Sequence, residues 1–307
     1  MSDVVIDRLS YRYGGASDAL HDISITAPCG AILGVLGSNG AGKTTLLQCC
    51  AGLRAPNAGQ VLVGGVNATA RALIVAGVIG YVAEGARLPA DMTVRQLQRW
   101  LAPLHIRWDH EMAAALVDRF ALDASRRVGT LSRGEYMKTA LLCALAARPT
   151  VLLMDEPFTG MDVVVKDDIL RGLLATAGAS GTTVLIASHD IAEVESVLTH
   201  AVILTAGTLR AQGTMDQLRE RYRRVTMVAS DAALTAFARE QEWLEVERAG
   251  RVVRIVADGA RTPMDTSILA RRFPEAESIT VEDLSLREIF SSVVRAARQA
   301  AQHSEAA

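Results

Sequence analysis

Cysteine, aromatic residues, basic excess and long apolar runs are all scarce in this chain. Only Cys29, Cys49, Cys50 and Cys143 occur among 307 residues. Their spacing fits neither a zinc site nor a disulfide framework. The thiols are therefore expected to be reduced and buried, in a cytosolic chain. No apolar run approaches the ~18 residues that a membrane-spanning helix requires. The start, MSDVVIDRLSYRYGG, has no basic segment followed by an apolar one, so no secretory signal is expected. Lys and Arg total 32 against 34 Asp and Glu, a net charge of -2. That balance argues against a protein whose main work is coating nucleic acid. Sustained heptads, internal repeats and low-complexity segments are absent as well.

Half of the residues are apolar, enough for a substantial core, and the length suits one large domain or two ordinary ones. The short apolar runs AILGVLG (31–37), TVLLMDE (150–156) and TTVLIASHD (182–190) are bounded by turn residues. They read as buried strands of a parallel sheet. VIGYVAE (78–84) and HAVILTAGTLRAQG (200–213) read as further strands, and helical stretches alternate with them. The fold class expected is therefore α/β. Residues 86–148 are mostly helical in pattern and read as an insert in that core. TVRQLQRWL opens with the capping-box pair Thr93 and Gln96, and EMAAALVDRFAL is amphipathic. After about residue 220 the pattern changes. VTMVAS (225–230) and RVVRIVAD (251–258) alternate like half-exposed strands. Ser285 and Glu288 begin a helix that places Leu286, Ile289, Phe290 and Val293 on one face. A small α+β appendage over 221–307 is expected. Its basic opening, RERYRR, reads as a solvated helix end, and the final QHSEAA as frayed.

GSNGAGKT, Gly37 to Thr44, matches G-x-x-x-x-G-K-[ST] directly after one apparent strand and before a helix. Gly37, Ser38, Asn39, Gly40, Ala41 and Gly42 would turn backbone N–H groups around phosphate oxygens. The helix start adds its positive dipole end. Lys43 would reach the β- and γ-phosphates, and the Thr44 hydroxyl would ligate Mg²⁺. Asp155 ends the strand VLLMD, where a carboxylate can hold the cation, and Glu156 follows it and could polarise water. Two acids at the end of a buried strand are costly without a cation or polar partners. His189 ends another apolar strand. LSRGE (131–135) sets a cap, Ser132, ahead of Arg133 and Gly134 at the start of a helix.

Together these segments resemble the ATP-binding subunit of an ABC transporter, over nearly the whole of residues 1–220. GSNGAGKTT, to Thr45, looks like Walker A, VLLMDEP like Walker B, TGMD (159–162) like the D-loop and ASHD like the switch-histidine loop. YVAE places Glu84 where the family carries its Q-loop. LSRGE falls where the family carries its signature, commonly LSGGQ. YRYGG resembles the segment whose aromatic residue stacks on adenine, which would be Tyr13, with Tyr11 a weaker candidate.

The resemblance implies a P-loop NTPase core over 1–220, with the helical subdomain at 86–148 and an accessory domain over 221–307. It implies an ATPase using ATP and Mg²⁺. Glu156, His189 and Lys43 would be catalytic, and Thr44, Glu84 and Asp155 would face the metal. It implies a head-to-tail dimer with a second ABC ATPase subunit. Ser132 and Gly134 of each chain would then close over the γ-phosphate held by the other, and Asp162 would communicate between the sites. An integral membrane permease would carry the transport path, holding this chain at the cytoplasmic face of the membrane. No nucleic-acid partner is expected. Three positions depart from the family pattern: Arg133 for Gly, Glu135 for Gln and Glu84 for Gln. With the ending LSLREIF, they resemble the ABC-2 exporter group. The competing readings are a soluble ABC-type ATPase acting on ribosomes or DNA, and a regulatory module that binds ATP without hydrolysing it.

Overall fold

The computed structural model describes residues 2–14, 18–69, 77–230, 243–259 and 265–305. The chain divides into two compact units, Met1–Leu209 and Arg210–Ala307.

The first unit is built on a parallel sheet. Its strands are β3 (Ile32–Leu36), β6 (Ile79–Val82), β7 (Val151–Asp155), β8 (Thr183–Ser188) and β9 (His200–Thr205). They lie in the order β9-β3-β8-β7-β6, each neighbouring pair parallel. β10 (Thr208–Thr214) begins beside β9 at the sheet's edge. β3, β7 and β8 are buried at every position. That is why they read as continuous apolar runs rather than alternating ones.

A second sheet, antiparallel, is made of β1 (Ser2–Arg12), β2 (Asp18–Pro28), β4 (Ala58–Val63) and β5 (Val66–Asn67) in the order β2-β1-β4-β5. The sequence reading did not separate this sheet from the core. Its strands alternate, bury one face only and are interrupted by register shifts. Val4, Ile6, Leu20, Ile23 and Val61 from it join Leu33, Val35 and Leu185 of the parallel sheet in one core. Leu46 and Leu47 of α1 (Lys43–Cys50) complete that core. Between β6 and β7 run α2 (Val94–Leu101), α3 (His110–Arg119) and α4 (Arg133–Ala146), and α5 (Val163–Ser180) follows β7. The Thr93 capping box is formed in both directions.

The second unit has a four-stranded antiparallel sheet. β11 (Tyr222–Ala229), β12 (Trp243–Ala249), β13 (Val252–Asp258) and β14 (Ala276–Asp283) lie in the order β12-β13-β11-β14. This is the strand order of a split β-α-β arrangement. Val225, Met227, Val253 and Ile255 pack with Leu269 of α7 (Thr266–Arg272) and with Phe273. α8 (Leu286–Glu305) packs on β12 and buries Leu286, Ile289 and Val293, while Phe290 is half-buried. Ser285 accepts from Glu288 N and donates to its carboxylate.

Four expectations are corrected. The unit boundary falls at Leu209/Arg210 rather than 220, because α6 (Met215–Arg221) packs on β11 and α8. Cys29 is exposed, with Sγ donating to Asp3 Oδ1 at 3.0 Å, while the other three thiols are buried. RERYRR is ion-paired rather than merely solvated. Arg221 grips Asp258 with two hydrogen bonds, Arg223 pairs with Asp283 and Arg224 with Glu288. Finally, QHSEAA is helical as far as Glu305, and its last two residues lie outside those described.

Candidate active site

The segment Gly37–Thr44 leaves the end of β3 and turns into α1. Gly42, at φ 100°, is the N-cap, so α1 starts from a left-handed residue that a side chain would strain. A Cβ there would sit 2.7 Å from the Ala19 carbonyl oxygen. The spacing in the sequence thus has a steric cause. The loop must pass close to the start of β2 at Ala19.

Lys43 is buried although charged. Its ammonium donates to the Gly37 carbonyl at 2.8 Å and the Ser38 carbonyl at 3.3 Å. It also lies 3.1 Å from Glu156 Oε1, and the two side chains are only 6% and 7% exposed. Glu156 occupies a left-handed backbone conformation, φ 47°, directly after β7, with its N–H held by the Ala187 carbonyl. Such a conformation costs a non-glycine residue on the order of 1–3 kcal/mol. The strained turn sends its carboxylate between two partners. Oε1 meets Lys43, and Oε2 meets His189 Nδ1 at 2.7 Å. A lysine from the start of α1 and a glutamate and a histidine from two strand ends thus form one chain of contacts.

Asp155 is 1% exposed. Oδ1 accepts from the Thr44 hydroxyl at 3.1 Å, while Oδ2 is buried with no partner. Burial raises the Asp155 carboxyl above the usual range. The Thr44 hydrogen bond opposes this, the negative charges of Glu84 and Glu156 add to it, and Lys43 opposes it. A buried carboxylate with one unpartnered oxygen, bonded to a hydroxyl that lines a polar cleft, suits a hard divalent cation. Among the described residues no three His, Cys, Asp or Glu side chains form a metal cage by themselves. Phosphate oxygens or water would have to complete the shell.

These groups open into a cleft of about 550 Å³ lined by Tyr13, Asn39, Gly40, Ala41, Gly42, Lys43, Thr44, Thr45, Glu84, Glu156, Thr159 and His189, with Ala19. The cleft therefore gathers most of the residues singled out by sequence; Gly37, Ser38 and Asp155 are not among its lining residues. Ser132 and Gly134 do not line it. Ser132 caps α4 in a reciprocal capping box with Glu135, and Glu135 also pairs with Arg126 at 2.6 Å. This accounts for Glu135 locally. Gly134 has a neighbour in its own chain: an added Cβ would lie 2.4 Å from Val165 Cγ1. The Arg133 guanidinium rests against Gly160, 2.6 Å from where a Cβ would stand. Asp162 caps α5 through Val165 N.

Sequence reasoning missed Thr159, whose hydroxyl is buried without a partner at the cleft, and Arg54, which stacks on Tyr13. Neither lies in a position of a spacing motif that names a side chain, so only the folded chain brings them forward.

A phosphate loop on a parallel sheet, with a histidine following the neighbouring strand and paired acids ending the strand beyond it, defines a P-loop nucleoside triphosphatase. Residues 20–159 match the family described as ABC transporter. The ABC transporter ATP-binding protein NatA of Bacillus subtilis is 32% identical over 208 residues, 66% of this chain and 84% of that protein. YtrB of the same organism, an ABC transporter ATP-binding protein, is 29% identical over 234 residues, 76% of this chain and 80% of that one. The daunorubicin resistance ATP-binding protein DrrA3 of Streptomyces coeruleorubidus is 32% identical over 221 residues, 70% of this chain and 69% of that one. Sulfate/thiosulfate import ATP-binding proteins are also relatives. The solved structure of an ATP binding subunit of an ABC transporter superposes with a TM-score of 0.64 at 26% identity, covering 70% of this chain and 91% of that one. The chain belongs to the ABC transporter family as an ATP-binding subunit, and it is an ATPase of the ABC type.

Proposed function

We propose that this subunit hydrolyses ATP in a head-to-tail pair of cassettes and drives export through a separate membrane permease. The observation that carries the catalytic part is the Lys43–Glu156–His189 chain in one cleft, with buried Asp155 bonded to the cleft-lining Thr44. In the free chain Lys43 is held by loop carbonyls and Glu156. Phosphate oxygens compete for the same ammonium. As Lys43 turns to the β- and γ-phosphates, Glu156 Oε1 is released to take a proton from, or orient, the attacking water. In its imidazolium form His189 donates from both nitrogens, Nδ1 to Glu156 and Nε2 to a γ-phosphate oxygen. Thr44 and Asp155, with Glu84 at the cleft wall, would hold Mg²⁺. When bound, the cation offsets charge on the phosphates. The cleft-side ring of Tyr13 receives the base.

Ser132 and Gly134 lie at the N-terminus of α4 and outside this cleft. That placement supports a role toward a partner's γ-phosphate rather than their own. Arg133 beside Gly160 links that segment to the loop carrying Asp162. Val163 and Val164, immediately after it, are exposed, in keeping with a covering second subunit. Trp100, Leu104 and Ile106 of the helical segment are exposed apolar side chains and support docking of a permease there. No helix among the described residues is long and apolar enough to cross a membrane. The permease would therefore anchor this subunit at the cytoplasmic face. Export is supported by the similarity to a daunorubicin resistance ATP-binding protein, while sulfate/thiosulfate import ATP-binding proteins match over a comparable span.

The test is a mild-detergent pull-down of the tagged chain from native membranes, followed by mass spectrometry. A stoichiometric multi-spanning protein is expected. Recovery of no membrane protein from well-expressed material would overturn the transport reading.

A further inference from the structure

Tyr11 on β1 and Tyr13 just past its end meet edge to face, with ring centroids 5.1 Å apart and planes at 83°. The Tyr13 hydroxyl shares a hydrogen bond with Thr45 Oγ1 at 3.0 Å, tying the ring to the first turn of α1. Arg54, four residues past the last helical residue of α1, spreads over both rings. Its guanidinium carbon lies 4.6 Å from the Tyr13 centroid and 5.5 Å from that of Tyr11. Nη1 donates to the Tyr11 hydroxyl at 2.9 Å and Nε to Gln48 Oε1. The planar cation is thus fixed by a bond on each side, and Tyr13 is fixed by three different neighbours.

The side on which Arg54 stands decides what this arrangement does. Among the described residues the phosphate cleft is lined by Tyr13 but by neither Tyr11 nor Arg54. Arg54 thus reaches the ring from outside the cleft lining, while Tyr13, a residue 37% exposed, lines the cleft itself. A ring that is already immobile loses little freedom when a flat base stacks on it. A guanidinium over the ring attracts its π-system and keeps the ring from turning away.

We infer that Arg54 is a positioning residue for the nucleotide base: it presets Tyr13 so that a purine completes a base–tyrosine–arginine sandwich. The inference rests on Tyr13 being the base contact. It assigns a base-binding task to a residue outside every motif of the phosphate site.

The experiment is isothermal titration of the full chain with ADP and, separately, with inorganic pyrophosphate, both with Mg²⁺. Arg54→Ala is expected to weaken ADP about two- to fivefold, the worth of a partly exposed cation–π contact, and to leave pyrophosphate unchanged. Arg54→Lys, which keeps the charge but not the plane, is expected to recover part of the loss. In a Tyr13→Ala background, itself weaker for ADP, Arg54→Ala should have no further effect. Equal losses for ADP and pyrophosphate would mean that Arg54 acts through α1 and the phosphate loop, and would overturn the assignment. So would an Arg54→Ala effect that persists without the Tyr13 ring. If Tyr13→Ala weakens ADP and Arg54→Ala does not, only the role of Arg54 falls. If Tyr13→Ala leaves ADP binding intact, the base contact itself is misassigned.

Discussion

Replacing Glu156 by Gln should tighten product binding while nearly abolishing turnover. In the free chain the carboxylate lies 3.1 Å from the Lys43 ammonium, and both side chains are almost fully buried. At an effective dielectric of about 20, that separation corresponds to a gross attraction of roughly 5 kcal/mol. Most of it is offset by removing both charges from water, which leaves a net pull on the order of 1–2 kcal/mol. A nucleotide's phosphates must overcome that pull to capture Lys43, and they are also repelled by the carboxylate. The amide variant keeps the size and the contact to His189 but removes both penalties. ADP with Mg²⁺ should therefore bind about tenfold tighter to Glu156→Gln, as measured by titration calorimetry. ADP is the right probe because it avoids turnover. The same variant should lose about 100-fold or more of its ATPase rate in a phosphate-release assay. An unchanged or weaker ADP affinity would refute the competition for Lys43. Hydrolysis at the wild-type rate would remove Glu156 from the water-activating role.

Three further outcomes follow from the contacts. Ser132→Ala removes the cap of α4 and should cost about 1 kcal/mol in a urea titration; Glu135→Ala should cost a similar amount, and the double variant less than the sum, because the two bonds form one box. Asp258→Ala leaves Arg221 without its buried acceptor and should destabilise the second unit by about 2–4 kcal/mol, lowering its calorimetric transition while ATPase activity stays near wild type. The Glu288 carboxyl is pushed down to about 2, first by hydrogen bonds from Ser285 and then by Arg224. Its folded value lies below the unfolded one, so its stabilisation is complete above about pH 4.3 and is lost as pH falls through about 2. Because the side chain is 40% exposed, that stabilisation is discounted to about 1 kcal/mol. The stability gap between wild type and Glu288→Gln should therefore close between pH 4.3 and 2 in denaturant titrations. A gap of constant size across that range would contradict the ion-pair account.

Sequence alone determined the parts of this protein whose cause is local. A buried parallel strand shows as an unbroken apolar run, as in β3, β7 and β8. A phosphate loop shows as glycines at fixed spacing, because Gly42 must adopt a left-handed conformation beneath Ala19. Capping boxes at Thr93 and Ser285 are four-residue signals that need no tertiary partner. What needed the folded chain was everything set by residues far apart. The Lys43–Glu156–His189 contacts join the start of α1 to two strand ends, and the turn that aims Glu156 depends on the Ala187 carbonyl of a neighbouring strand. The antiparallel sheet was not separated from the core because its one-sided alternation is broken by register shifts. Glu135 looked like a departure from a motif until Arg126 was seen across from it. Arg54 carries no sequence signal at all, since its meaning comes from a tyrosine more than forty positions earlier. Spacing is written along the chain, but contact across it is decided only when strands pair and helices pack.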